Sequence, residues 1–309
     1  MNAPTKLTIF ATSLAALGAG GAVAGGAIDP DRQQEPAPHA EAGEAKDTHA
    51  DPAAAHSQEG GRAGGEKAAH PVRGVAVAEN GLRLVVADPE LERGRKQTVR
   101  FRIVDEAGAT VRDFDVEHTK RMHVIVARRD LSGFQHLHPR QGRDGSWRLR
   151  LQLDEAGSHR LFADFSHEDE ATTLATDLRV DGSADLRPLP APAPTSISDG
   201  GYDVRLDASR ARPGEEAELR FTVTKDGHAV HTEDYLGAGG HLVALRDGDL
   251  AFLHVHPTEH GHGEAKPAGE RDDSVGFAAT FPTHGRYRLF LQFKHEGRVQ
   301  TVAFTREVK

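Results

Sequence analysis

The sequence contains an internal repeat, and this repeat constrains the fold more than any other feature. Five segments of the first half recur in the same order in the second half. They are 97–105, 122–128, 134–139, 147–153 and 160–167 in the first half, and 218–224, 240–246, 252–257, 275–281 and 288–295 in the second. The spacing from His123 to His136 equals that from His241 to His254, at thirteen residues. The repeat predicts two copies of one domain in the same register.

Most of the repeated segments alternate apolar and polar residues, which is the pattern of half-buried β-strands. Val99, Phe101 and Ile103 follow this pattern. No segment beyond the N-terminus has a sustained 3.6-residue apolar period, so helices are not expected. The predicted fold class is all-β: two tandem immunoglobulin-like β-sandwich domains, each of roughly seven or eight short strands, after an N-terminal hydrophobic segment and a disordered linker. A small barrel is the alternative for each half.

The N-terminal segment has the composition of an export signal. Lys6 precedes an uncharged stretch, 7–28, that is rich in Ala, Gly and Leu and reaches the length of a spanning helix. We expect a cleaved signal peptide or an N-terminal membrane anchor. The predicted location is therefore extracytoplasmic, either secreted or anchored to the outer face of the plasma membrane. The predicted divisions are 1–28 for this segment, 29–72 for a disordered Ala/Gly/Glu/His linker, 73–182 for the first sandwich, 183–199 for a Pro/Ala-rich linker and 200–309 for the second sandwich.

The composition limits the chemistry of any site in this chain. Cysteine is absent, which excludes disulfides, thiolate zinc sites, iron–sulfur clusters and a cysteine nucleophile. Met1 and Met122 are the only thioethers, so a methionine-rich Cu(I) site is not expected. A metal site would use nitrogen and oxygen ligands. The formal net charge of -9, with basic residues scattered along the sequence rather than forming a stripe, speaks against nucleic acid as a partner and is compatible with cations.

Four histidines occupy equivalent positions in the two halves. The pairs are His123 with His241, His136 with His254, His138 with His256, and His167 with His295, and His118 adds a fifth histidine to the first half. In each His-x-His motif the two imidazoles are expected at i and i+2 of one strand, on one face and about 7 Å apart at their backbones. Neutral imidazole is a good ligand for Cu(II) and Zn(II). These nine histidines are therefore predicted metal ligands, with one site in each half.

Carboxylates are candidates for further ligands or for acceptors that orient the imidazoles. The candidates are Asp130, Asp164, Glu168 and Asp249. The alternative is that the histidines are structural, with their nitrogens bonded to backbone groups, since a duplicated domain retains fold-determining residues as readily as ligands. The sequence has no His-Glu-x-x-His helix, no Gly-x-Ser-x-Gly elbow and no phosphate-binding glycine loop, so we do not expect an enzyme.

Segments 122–139 and 235–257 resemble a family of uncharacterised actinobacterial exported or membrane-anchored two-domain proteins with repeated His-x-His-Pro motifs. The resemblance covers about residues 72–309. Single domains similar to the first half also occur beside heavy-metal-binding modules in other bacteria. More distantly, the export signal, the β-sandwich and the histidines look like periplasmic copper-resistance β-sandwich proteins. The resemblance implies metal handling outside the membrane.

The predicted function is extracytoplasmic binding of a divalent transition metal, copper first and zinc second, for buffering or delivery. The expected partners are the metal ion, an envelope protein and, if the N-terminal segment is uncleaved, the membrane. The alternative is a cell-surface protein-interaction module whose histidines are structural and bind no metal.

Overall fold

The computed structural model describes residues 72–258 and 274–309. The predicted N-terminal segment and most of the predicted linker after it lie outside the described residues. For His254 and His256 only the backbone placement is described. Within these ranges, no helix is long and apolar enough to cross a membrane.

The described part of the chain folds into β-strands, as the alternating pattern predicts. Those of the first half are β1 (Ala78–Glu79), β2 (Leu82–Val86), β3 (Glu90–Leu91), β4 (Gln97–Val104), β5 (His123–Arg128), β6 (Gln135–Leu137), β7 (Arg140–Gln141), β8 (Trp147–Leu151), β9 (Gly157–His167) and β10 (Glu170–Val180). Those of the second half are β11 (Thr195–Ile197), β12 (Asp203–Ala208), β13 (Glu216–Lys225), β14 (His228–Ala229), β15 (His241–Arg246), β16 (Phe252–His254), β17 (His256–Pro257), β18 (Ser274–Thr280), β19 (Gly285–His295) and β20 (Arg298–Val308).

Each half is a sandwich of two sheets. In the first half the sheets have the strand orders β1-β2-β4-β8-β7 and β3-β10-β9-β5-β6. In the second half they are β11-β12-β13-β18-β17, with β14 also on β13, and β16-β15-β19-β20. The described pairings are antiparallel except that of β10 with β3. The all-β class and the immunoglobulin-like sandwich architecture are confirmed.

The alternating side chains give each sandwich its own apolar core. In the first core, Val99, Phe101 and Ile103 of β4 are almost fully buried, while the residues between them face solvent. Phe221 and Phe277 lie at the centre of the second core. Alternation places every second side chain on one face of the sheet, and burial of that face stabilises each sandwich.

The His-x-His motifs lie where the chain crosses from one sheet to the other. His136 lies in β6, which pairs with β5, whereas β7 begins at Arg140 and pairs with β8 in the opposite sheet. In the second half, His254 ends β16 and His256 begins β17, and these strands belong to different sheets. The prediction that both histidines of each motif lie on one strand is therefore wrong, because the chain changes sheets within the motif.

The two sandwiches pack against each other through the outer faces of the sheets that contain β5 and β15. In β5, Val124 and Val126 point into the first core, whereas Ile125 and Ala127 point outwards. The outward side chains join a third apolar cluster drawn from both halves. Its buried members are Ile125, Ala127, Leu131, Phe162, Ala175, Val243, Leu245, Leu250, Phe252 and Phe290.

The aromatic contacts of this interface show that the packing is pseudo-symmetric. Phe134 stacks on Phe290 with ring centroids 4.1 Å apart, and Phe162 contacts Phe252 at 5.6 Å. Phe134 and Phe252 are equivalent in the repeat, as are Phe162 and Phe290. Exchanging the two halves therefore converts the contact of Phe134 with Phe290 into the contact of Phe252 with Phe162. The interface is isologous, like that of a two-fold dimer, although both copies belong to one chain.

Replacing Phe290 with alanine is expected to lower the free energy of unfolding by about 3 kcal/mol, since the change removes a buried ring and its stacking contact with Phe134. Denaturant unfolding of the full chain measures this change. Val299→Ala is the control, because Val299 is 44% exposed and its truncation should change stability by less than about 0.5 kcal/mol. Equal effects of the two substitutions would mean that the Phe134–Phe290 stack does not hold the sandwiches together.

Candidate metal centre

Three imidazoles converge at the interface between the two sandwiches. His123 and His136 come from the first sandwich and His241 from the second. Each offers one ring nitrogen, and these nitrogens all lie within 4.8 Å of one another. His123 and His241 are buried, and His136 is partly buried. We call these three residues the histidine cluster.

Equivalent strands position His123 and His241. His123 begins β5 and pairs across the sheet with Asp164, and His241 begins β15 and pairs with Gln292. The two rings stack nearly parallel, with centroids 5.7 Å apart and an angle of 8° between their planes. Since these two histidines are equivalent in the repeat, the pseudo-two-fold axis of the interface passes close to them. The prediction grouped the histidines within each half, whereas the structure brings imidazoles from both halves to one place.

Oxygen acceptors orient two of the imidazoles. The Nε2 of His123 lies 3.2 Å from the backbone carbonyl of Glu117, and the Nδ1 of His136 lies 2.8 Å from Oε1 of Gln292. The amide nitrogen of Gln292 donates to the hydroxyl of Thr301 at 3.1 Å, which leaves Oε1 as the group that faces His136. Both oxygens only accept, so each imidazole carries its hydrogen on the nitrogen that points away from the other ring.

The remaining two nitrogens face each other. The Nδ1 of His123 lies 3.0 Å from the Nε2 of His136. With both rings neutral and donating outwards, each of these nitrogens presents a lone pair. In these tautomers a cation fits between the two rings, either an additional proton or a metal ion, whereas a hydrogen on one of the facing nitrogens would form a direct hydrogen bond between the rings. Metal-binding histidines commonly donate their second N–H to an oxygen acceptor in this way.

Burial makes the proton the weaker candidate for that cation. Desolvation is the main reason that the pKa of His136 is lowered to about 4, and the neighbouring His123 lowers it further. The hydrogen bond that His136 donates to Gln292 and the charge of Asp164 raise the pKa but do not restore it to its usual value. Asp164 is itself buried and accepts a hydrogen bond from Thr173 at 2.6 Å. At neutral pH, His136 is therefore a neutral imidazole.

His138 lies against the histidine cluster. Its ring centroid is 5.0 Å from that of His123 and 4.8 Å from that of His136. Its Nε2 is buried and has no hydrogen-bond partner among the described residues. Burial first, and then the nearby His136, His123 and Lys120, lower its pKa to about 3. His138 is thus a neutral imidazole beside the cluster with one buried nitrogen available as a donor atom.

His118 also lies beside the histidine cluster. Its ring centroid is 6.2 Å from that of His123 and 5.8 Å from that of His241. It lies in a tight turn closed by Glu117 and Lys120, with a φ of 46°. The corresponding turn of the second half places Leu236 at that position, with a φ of 58°. The surroundings of the cluster are therefore not symmetric.

The structure does not bring His167 and His295 to the histidine cluster. His167 is three residues beyond Asp164 on β9, so it lies on the opposite face of that strand. Its Nδ1 donates to the carbonyl of Asp113 at 2.8 Å, and the Nδ1 of His295 lies 2.9 Å from the hydroxyl of Tyr202. Both have partners of their own at the ends of β9 and β19.

The remaining predicted residues have other positions. By its backbone, His254 pairs with Val243 of β15, and His256 pairs with Ala278 of β18. Asp130 is buried with Arg128 at 3.0 Å, and Asp249 forms an ion pair with Arg246, so both carboxylates have cationic partners outside the cluster. Glu168 lies in an exposed turn at the end of β9.

Sequence reasoning missed Gln292 and the carbonyl of Glu117. A signal for Gln292 was present, since it occupies the position in the second half that Asp164 occupies in the first. In the structure, Gln292 reaches across the interface to His136. No sequence pattern indicates a backbone carbonyl acceptor.

The fold and the site define a tandem immunoglobulin-like β-sandwich protein with a histidine cluster between its two domains. A family model matches the chain twice, over residues 76–182 and 195–309, so the chain belongs to the family described as Domain of unknown function (DUF8832). No curated protein matches the chain.

Similar solved structures include a bacterial adhesin, a bacterial alpha-2-macroglobulin and a titin fragment. The Escherichia coli adhesin FdeC is 15% identical, with 76% of this chain and 66% of that chain covered, at a TM-score of 0.23. A Salmonella alpha-2-macroglobulin is 14% identical, with 77% of this chain and 15% of that chain covered, at 0.26. The titin fragment A168169 is 11% identical, with 73% and 96% covered, at 0.20. At these scores the similarities carry no argument about function.

The stability of the metal-free protein is expected to fall as the pH drops from about 6.5 towards 4. In that window the unfolded His136 binds a proton while the folded one does not, so the unfolded state is favoured. Between about pH 7.5 and pH 5 the contribution of His136 is on the order of 2 kcal/mol. Denaturant unfolding in a chelator measures it. His136→Asn should lose less stability over this range than wild type, and the exposed His284→Asn should behave as wild type.

Proposed function

We propose that this chain binds a divalent transition metal at the interface of its two sandwiches, with His123, His136 and His241 as ligands. His138 and His118 lie close enough to complete the coordination. Cu(II) is the first candidate and Zn(II) the second, because an all-imidazole donor set without thiolates suits both, and Cu(II) binds nitrogen ligands more tightly. One ion per chain is expected rather than one per half.

The observation that carries this proposal is the pair of facing nitrogens on His123 and His136. Their other ring nitrogens face oxygen acceptors, which favours tautomers with lone pairs directed at the space between the two rings, where a cation fits. Two ligands at about 2.0–2.1 Å from a metal in tetrahedral or square geometry lie roughly 2.8–3.4 Å apart. The distance of 3.0 Å between these nitrogens fits that range.

The cellular role of the protein follows from the site and from the sequence. We infer that it acts outside the cytoplasm, delivered there by its N-terminal segment, and that it buffers metal or passes it on. A set of ligands shared between two domains suits transfer, because a small change in domain packing alters the coordination. We propose no enzymatic activity, and an envelope protein is the expected recipient of the metal.

One observation favours the alternative of a surface interaction module with structural histidines. His167 and His295, which are equivalent in the repeat, each use a ring nitrogen to bond a neighbouring oxygen at a strand end. Histidines can thus serve this fold without metal. The histidine cluster would then be held by a shared proton between His123 and His136.

Calorimetric titration with Cu(II) and Zn(II) tests the proposal. The starting protein is the full chain with alanine at the six histidines outside the described residues, namely His39, His49, His56, His70, His260 and His262. Saturation near one ion per chain is expected. Adding His123→Ala and His136→Ala should weaken binding by roughly 100-fold or more, since two ligands are lost.

The matched control for this experiment adds His167→Ala and His295→Ala to the same starting protein. These substitutions remove two histidines that the structure leaves outside the cluster, so binding should persist. Circular dichroism checks that each variant is folded. Equal loss of binding in both variants, or no binding by the starting protein at millimolar metal, would leave the interaction module as the better account.

Gln292 provides a second test that leaves all ligands in place. Gln292→Leu removes the acceptor that orients His136, and metal affinity is expected to fall roughly 10- to 100-fold. Gln292→Glu keeps an acceptor oxygen and should retain most of the affinity. If both variants bind metal as wild type does, the orientation of His136 by Gln292 has no part in the site.

A further inference from the structure

The outer face of the first sheet carries a concentration of arginines. In the register of the sheet, Arg100 of β4 pairs with Arg148 of β8, and Arg148 pairs with Arg140 of β7. Paired residues project on the same face, so three guanidinium groups lie in a row across three strands. Arg102 and Arg150 lie two residues further along β4 and β8 and share this face. We call these five residues the arginine face.

These charges are scarcely neutralised within the protein. Asp144 lies 3.9 Å from Arg102 and 3.7 Å from Arg148, and both contacts are exposed. In the described part of the chain, no carboxylate lies within ion-pair distance of Arg100, Arg140 or Arg150. Like charges directly opposite each other destabilise a sheet. The arginine face therefore costs stability in a protein whose net charge is -9.

The second half shows that the fold does not need these arginines. The positions that correspond to Arg148 and Arg150 are Gly276 and Ala278 in β18. In β13, Arg220 forms an ion pair with Glu218, which replaces Thr98 of β4. The same strand architecture thus forms with a mixed or neutral outer face. The arginine face is a property of the first half alone and has a reason other than folding.

A groove beside β7 gives the arginine face a concave edge. The cavity has a volume of about 620 Å³. Arg140, Arg148 and Arg150 line it together with Thr98, Gln141 and His138. Three guanidinium groups and several neutral hydrogen-bonding groups therefore surround this groove.

We propose that the arginine face binds a linear polyanion made of phosphate groups. The strands that carry neighbouring arginines lie about 4.8 Å apart, and residues two positions apart along a strand are separated by about 6.8 Å at the backbone. Phosphate oxygens are arranged tetrahedrally, so guanidinium groups on adjacent strands can each bond a different oxygen of one group. A chain of such groups can follow the row from Arg100 to Arg140 and enter the groove.

The same face argues against nucleic acid. Single-stranded nucleic acid binds through a positive groove combined with aromatic side chains on which bases stack. Trp147, the aromatic residue of β8, points into the core and offers no ring on the side of the arginine face. Along the sequence these basic residues form no stripe, since Arg100 is far from Arg140 and Arg148. Strand pairing brings them together.

Binding of long-chain inorganic polyphosphate to the full chain tests this proposal, in a chelator so that metal plays no part. The variant Arg100→Gln/Arg140→Gln/Arg148→Gln should bind roughly 10- to 100-fold more weakly than wild type. Its control is Arg205→Gln/Arg210→Gln/Arg298→Gln, which removes the same charge from exposed positions of the second half. The control should lose less than about threefold, since net charge acts weakly at a distance.

Thermal unfolding checks that the variants are folded, and the first variant should be at least as stable as wild type because it relieves repulsion. The single variant Arg148→Gln, at the centre of the row, should give an intermediate loss of affinity. Equal losses in the two triple variants would overturn the proposal. So would tighter binding of polyglutamate or of a single-stranded oligonucleotide with the same number of charges.

Discussion

The packing of one sheet from each sandwich against the other is the interaction on which the rest of the structure depends. The outer faces of β5 and β15 carry apolar side chains, such as Ile125 and Val243, that would be exposed to water in a separate sandwich. Their mutual burial fixes the position of one half relative to the other. Only in that position does His241 approach His123, and only there does Gln292 reach His136. The histidine cluster is a consequence of apolar packing.

Pseudo-symmetry explains why equivalent histidines occur in both halves. In an isologous interface, residues near the axis meet their own equivalents, as His123 meets His241. Duplication of a domain with one histidine near the axis thus gives two histidines at one place. The departures from symmetry then lie around this pair, where Gln292 replaces Asp164 and Leu236 replaces His118. These replacements make the two sides of the cluster chemically different.

The strands and the class of fold could be predicted from the sequence, because alternation of residues such as Val99 and Phe101 is a local property. The interface could have been anticipated from residues 124–127, because this apolar run has no polar alternation, which is typical of a strand covered on both faces. In the structure, all residues of 123–128 are buried. The histidine cluster could not, since it depends on contacts between residues more than 100 positions apart. The equivalence of His123 and His241 suggested a separate site in each half. No local sequence pattern indicates that these two histidines meet in one cluster.

The isologous interface also bears on the connection between the halves. A surface that pairs with its own equivalent would, in a protein with a single copy of the domain, bring two separate chains together. Here the segment between β10 and β11 joins the partners covalently, and short connections of this kind give effective concentrations near the millimolar range. Association that would otherwise depend on how much protein is present becomes independent of dilution. Even at low abundance, the protein would keep its paired sandwiches.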